Sequence, residues 1–137
     1  MKRSIAPEIS VTQLPLYKKA LEICQLSLGL RSLDKQSINR NVYSKSDLIS
    51  AHHLDALVFS SVDLPRTIAQ AAVQKDSILQ KSLSSYIRQT TKKVRHHLKM
   101  LGRYNSTHDA QFLALRTAIK EFGQLQKHAT SSHYQNN

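Results

Sequence analysis

Between Leu79 and Leu101 the buried-type side chains return every three or four positions, at Leu79, Leu83, Tyr86, Ile87, Thr90, Val94, Leu98 and Leu101, with no glycine or proline among them. That interval matches the 3.6-residue turn of an α-helix and not the two-residue alternation of a strand. A helix of this length gains most of its stability by packing its apolar stripe against other elements, so the segment demands partners. The rest of the chain offers only more helices. Three glycines and three prolines in 137 residues leave few points at which a helical pattern would break, and no strand pattern competes.

Four helices follow. The first is expected from about Gln13 to Arg31, with Thr12 as its cap, Pro15 in the first turn where a missing N–H costs nothing, and Tyr17, Ala20, Leu21, Cys24 and Leu28 as its buried stripe. Ser32 to Lys45 is polar and reads as a long link. The second helix begins near Ser44 or Ser46, Ser44 and Asp47 forming a capping signal, and places Ala51, Leu54, Leu57, Val58, Ser61 and Val62 on its apolar side. Its spacing resumes past Pro65 at Ile68, Ala69, Ala72 and Val73, so one helix kinked at Pro65, or two in series, is expected. Asp76 caps the third helix and Gly102 stops it. A second capping box, Ser106 to Asp109, opens the fourth, which buries Phe112, Leu115, Ile119 and Phe122 and fades near Gln126. The reading is all-α: an antiparallel four-helix bundle over 13–128, preceded by an N-terminal extension, 1–12, and followed by a mobile polar tail, 129–137.

Charge then narrows the function. Twenty Lys and Arg against nine Asp and Glu give a net charge of +11, which points to a polyanionic partner. The excess is concentrated. No acidic residue stands between Asp76 and Asp109, while Lys81, Arg88, Lys92, Lys93, Arg95, Lys99 and Arg103 fall there. At about 100° per residue, all of these but Lys93 occupy an arc of roughly 80° opposite the apolar stripe. Arg116, Lys120 and Lys127 make a shorter row on the fourth helix. A surface helix kept only for structure usually mixes signs. Arg88 with Lys92 and Arg95 with Lys99 are instead like charges four apart, which cost a few tenths of a kcal/mol unless an anion binds. Lys81, Arg88, Lys92, Arg95, Lys99, Arg103, Arg116 and Lys120 are therefore the expected nucleic-acid-binding residues. Few aromatics accompany them, so they would grip the RNA or DNA backbone and not read bases.

Other chemistry finds little support. The pairs His52-His53 and His96-His97 are adjacent on their helices, point about 100° apart, and have no Cys or carboxylate cluster beside them, so no metal and no cofactor is expected. Catalytic glycine-rich loops, paired carboxylates and nucleophile motifs are absent from the sequence, and no catalytic residue is assigned. One enzymatic alternative stays open: Arg103 and His108 have the Arg-x4-His spacing that resembles small helical HEPN-type ribonucleases, although Tyr104 stands where that family usually has a polar residue. A protein-interaction adaptor is a third reading. The single cysteine, Cys24, precludes an intramolecular disulfide, no signal peptide or membrane span is discernible, and a cytoplasmic, non-membrane protein is expected.

Three segments carry a family resemblance. Leu14 to Ile23, Leu64 to Ala71 with its Pro65 turn, and Leu98 to Gly102 followed by a capped helix ending in Glu121-Phe122-Gly123-Gln124-Leu125 are similar to the four-helix proteins encoded in 23S ribosomal RNA intervening sequences. They also resemble the relatives of those proteins, the accessory variability proteins (Avd) of diversity-generating retroelements. The resemblance spans most of Leu14 to Lys127. It implies a ring-shaped homo-oligomer, a pentamer, with a basic surface that binds RNA or DNA and docks on a reverse transcriptase. The basic bias favours the retroelement branch and a non-enzymatic role. Self-association is also suggested by the second helix itself, where Leu48, Ile49, Leu54, Leu57, Val58, Phe59 and Val62 spread over more than one buried face.

Overall fold

The computed structural model describes residues 11–37, 45–104 and 109–135. A short 3-10 turn, Val11–Gln13, leads into four α-helices: α1 (Pro15–Ser37), α2 (Lys45–Val73), α3 (Ser77–Tyr104) and α4 (Asp109–Gln135). The described residues contain no strand, and the expected all-α four-helix bundle is what forms. Neighbouring helices run antiparallel. Ser27 meets Ser61 and Arg31 meets Asp55 between α1 and α2. Tyr86 meets Asp63 and His97 meets His53 between α2 and α3.

Around the bundle the order is α3, α2, α1, α4. The pairs α2–α3, α1–α2 and α1–α4 pack closely, whereas α3 and α4 barely touch. Ala20 and Ile23 from α1, Leu54, Leu57 and Leu64 from α2, Val94 and Leu98 from α3, and Leu115, Ile119 and Phe122 from α4 meet in one core. Each large apolar side chain among them contributes about 1.5–3 kcal/mol by leaving water.

Several boundaries and faces differ from expectation. α1 does not end at Arg31. Ser32 to Ser37, expected in the polar link, contains no Gly or Pro, and a helix already nucleated extends through such residues at little cost. The buried stripe of α1 is turned from the expected one: Ala20, Ile23, Ser27 and Leu30 are buried, while Leu21 and Leu28 are exposed. The i, i+3, i+4 rule admits two overlapping stripes here, and contact with both α2 and α4 selects the one between them. Ser44, Ser106 and His108 lie outside the described residues, as do 1–10 and 38–43.

α2 runs without interruption through Pro65, which is buried. Leu54, Leu57, Val58, Ser61 and Ile68 are buried as expected, but Val62 and Val73 are exposed. The cap of α3 forms as expected: Asp76 Oδ1 accepts from the N–H groups of Ile78 at 2.9 Å and Leu79 at 3.2 Å. Leu79 and Tyr86, expected on the buried face of α3, are exposed. Gly102 does not stop α3. Its φ is not positive and the helix continues to Tyr104. α4 likewise passes Gln126 and includes the segment from Ala129 to Gln135, expected as a tail, because no breaker follows Gly123.

A cationic cleft between the third and fourth helices

The sparse contact between α3 and α4 leaves a cleft of about 730 Å³. Arg95 and Lys99 form its α3 rim, and Arg116, Lys120 and Lys127 its α4 rim. Among the described residues no carboxylate lines it. Leu98, Ile119 and Phe112 make the floor, and Gly102, Gly123 and the neutral Gln124 complete the lining.

Those glycines explain how the cleft is shaped. The ring tip of Phe112 rests on Gly102, so that a Cβ added there would lie 3.0 Å from Phe112 Cζ. In the opposite direction, the Arg95 guanidinium lies over Gly123, and a Cβ at 123 would collide with its Nη2. Each helix thus accepts a large side chain of the other on a bare backbone position. Gly102 is better understood as this seat than as a helix terminator.

Of the eight expected binding residues, Arg95, Lys99, Arg116 and Lys120 are brought together around the cleft, joined by Lys127. Lys81, Arg88, Lys92 and Arg103 are exposed on α3 but do not line it. Among the described residues none of these cations forms an ion pair, while Glu22, Asp55, Asp63 and Glu121 are engaged elsewhere. Glu121, the neighbour of Lys120, is 2.8 Å from Lys19 on α1. Asp55 faces Arg31, and Asp63 accepts from Arg66 at 2.7 Å and from the Tyr86 hydroxyl. The hydrogen bonds from Tyr86 and then Arg66 hold the Asp63 carboxyl below its ordinary range. Hydrogen bonds to Glu121 and then Glu22 hold the Lys19 ammonium above its own. These carboxylates sit on the seams that α1 makes with α2 and α4 and that α2 makes with α3, and among the described residues every charged side chain lining the cleft is positive.

The two histidine pairs, adjacent only within their own helices in the sequence, converge across the α2–α3 seam. His53 Nδ1 and His97 Nδ1 are 3.0 Å apart, with ring centroids at 5.2 Å, and His52 and His96 flank them. A nitrogen pair at that distance needs one N–H donor and one bare acceptor, so the two rings cannot both be protonated without breaking the bond. Burial first, then the surrounding imidazoles, pushes His53 and His97 down from the ordinary imidazole range. Among the described residues no group of three or more His, Cys, Asp or Glu is arranged to hold a metal ion. Adjacency within each helix was legible; the meeting of the pairs depends on the α2–α3 register.

The half-buried thiol of Cys24 is pushed up by burial, as befits a packing residue. Arg103 is exposed near the end of α3, and His108, the other half of the Arg-x4-His spacing, is outside the described residues. No helix among the described residues is long and apolar enough to cross a membrane. The fold and cleft define an all-α four-helix protein with a cationic groove between its last two helices. Comparison with protein-family models, curated proteins and solved structures gave no significant match.

Proposed function

We propose that the protein is a non-enzymatic accessory subunit that binds the backbone of RNA or DNA. The observation that carries this reading is the pair of facing cation rows, Arg95 and Lys99 against Arg116, Lys120 and Lys127, in a cleft without a lining carboxylate among the described residues. Packing five cations around one space is unfavourable in the free protein and becomes favourable when a polyanion enters and gives up its counterions. Lys81, Arg88, Lys92 and Arg103 extend the positive surface beyond the cleft.

The resemblance to retroelement accessory proteins supports a reverse transcriptase as protein partner and a closed homo-oligomer, a pentamer, as the working form. Self-association is further supported by α2, whose Leu48, Phe59 and Val62 remain exposed after α1 and α3 have covered its inner face. A ring would repeat the cationic face and make weak contacts multivalent.

The test is fluorescence anisotropy with mixed-sequence RNA and DNA over a range of salt concentrations. Replacing Arg95, Lys99 and Lys120 together by Gln is expected to weaken binding. It should also flatten the log–log salt slope by about 0.7–0.9 for each phosphate that is no longer neutralised. The RNA should be recovered uncut. Unchanged affinity and slope with intact helix content would reduce the cations to a solvated face.

A further inference from the structure

Resting on the reading of the cleft as a nucleic-acid site, we infer that its ligand is a single strand, with phosphates on the cationic rims and a base on Phe112, and not a duplex. A double helix offers phosphates to a surface but hides its bases, so it could meet the rims while leaving the floor uncovered. The cleft volume of about 730 Å³ lies in the range that encloses small organic ligands, roughly 300–1,000 Å³, which suits one or two nucleotides and not a segment of double helix.

The floor decides between a strand and the other ligand that charge would allow, an acidic amphipathic helix. A helix laid in a groove needs a row of apolar anchors at successive turns. Leu98 and Ile119 are each only 4% exposed and present almost no surface. Phe112 is the one half-buried aromatic of the floor, with its ring tip on Gly102. One partly open ring accommodates one base by stacking, the interaction through which sequence-tolerant single-strand binders gain affinity. The Arg95 guanidinium, resting on Gly123, adds a second flat group to the cleft lining. The rim cations Arg95 and Lys99, and Arg116 and Lys120, are each one helical turn apart, about 6 Å along the axis. Flexible cationic side chains at that spacing can reach neighbouring phosphates of one strand.

The experiment compares a labelled single strand of about 12 nucleotides, within the site sizes of known single-strand binders, with a hairpin of the same composition. It uses the full chain and its Phe112→Leu variant, which keeps an apolar side chain and removes the ring. The strand is expected to bind at least about tenfold more tightly than the hairpin. Phe112→Leu should weaken strand binding roughly five- to tenfold, the low end of what a base-stacking aromatic contributes, with hairpin affinity and salt slope unchanged. Should that variant unfold, photocrosslinking of a 5-iodouridine strand to the wild-type protein gives an independent readout, expected on the peptide that contains Phe112. Equal binding of strand and hairpin, or crosslinks only outside the cleft, with a normal salt slope, would overturn this inference and leave backbone binding standing. Failure of both nucleic acids to bind at low salt would overturn both. So would an acidic amphipathic peptide that binds at the cleft when neither nucleic acid does.

Discussion

The Arg95 guanidinium of α3 lies on the bare backbone of Gly123 in α4. Together with Phe112 on Gly102, the contact bridges the sparsely packed α3–α4 seam and fixes a cation in the cleft wall. Gly123→Ala separates stability from function. Alanine favours a helix interior over glycine by about 0.8–1.0 kcal/mol, and the group it displaces is the free end of a flexible side chain. Thermal unfolding should move up by a few degrees, while affinity for nucleic acid falls severalfold. Unaltered affinity would show that the placement of Arg95 is immaterial.

Ser27 and Ser61 are both fully buried, and their hydroxyl oxygens are 3.0 Å apart. Ser61 donates to the Leu57 carbonyl at 2.7 Å, so Ser27 must be the donor between the two. Ser61→Ala then strands a buried hydroxyl proton and should cost about 1–3 kcal/mol. Ser27→Ala leaves the Ser61 proton satisfied and should cost less. The double alanine variant is expected to be more stable than Ser61→Ala alone. A double-mutant cycle from urea unfolding checks the coupling, and a greater cost for Ser27→Ala than for Ser61→Ala would refute the assigned direction.

Stability should fall on the mildly acidic side of neutrality. His53 and His97 are depressed in the fold, each chiefly by burial, and then by His52 and His96 in the case of His53 and by His53, His96, His52 and Lys93 in the case of His97. Between the folded values and the unfolded value near 6.5, the unfolded chain binds more protons. Their contribution is complete above about pH 6.5 and is lost as the pH drops through the lower folded values. The urea midpoint should therefore decrease from about pH 7.5 to about pH 5, a range that brackets the ordinary imidazole titration, and less so in His53→Gln. A flat midpoint in the wild-type protein would contradict the paired-imidazole account.

Phe59 is 79% exposed and Leu48 60% exposed on the outer side of α2. If this surface carries self-association, Phe59→Ser should shift sedimentation at high salt toward the monomer. Helix content should be preserved, because a surface substitution normally changes stability by no more than about 0.5 kcal/mol. Wild-type protein that sediments as a monomer at high salt, where charge effects are screened and apolar contacts persist, would exclude a ring held by apolar contact.

Helical class, the Asp76 cap and the run of cations on α3 were legible because each depends on local information: the spacing of apolar residues, a side chain reaching N–H groups two and three positions ahead, and charges repeated at one angular position. The same local rule could not choose between Leu21 with Leu28 and Ile23 with Leu30 as the inner side of α1. Both sets have helical spacing, and only the positions of α2 and α4 select one. Nor could it distinguish Gly102 as a terminator from Gly102 as the seat of Phe112, since that role belongs to a residue ten positions away on another helix. The cations of α3 and α4 were each visible as rows, but their union around one cleft follows from the α3–α4 gap, and the His53–His97 contact follows from the α2–α3 register. Local periodicity and charge are properties of the chain itself; the cleft and the imidazole pair exist only where packing brings distant turns together.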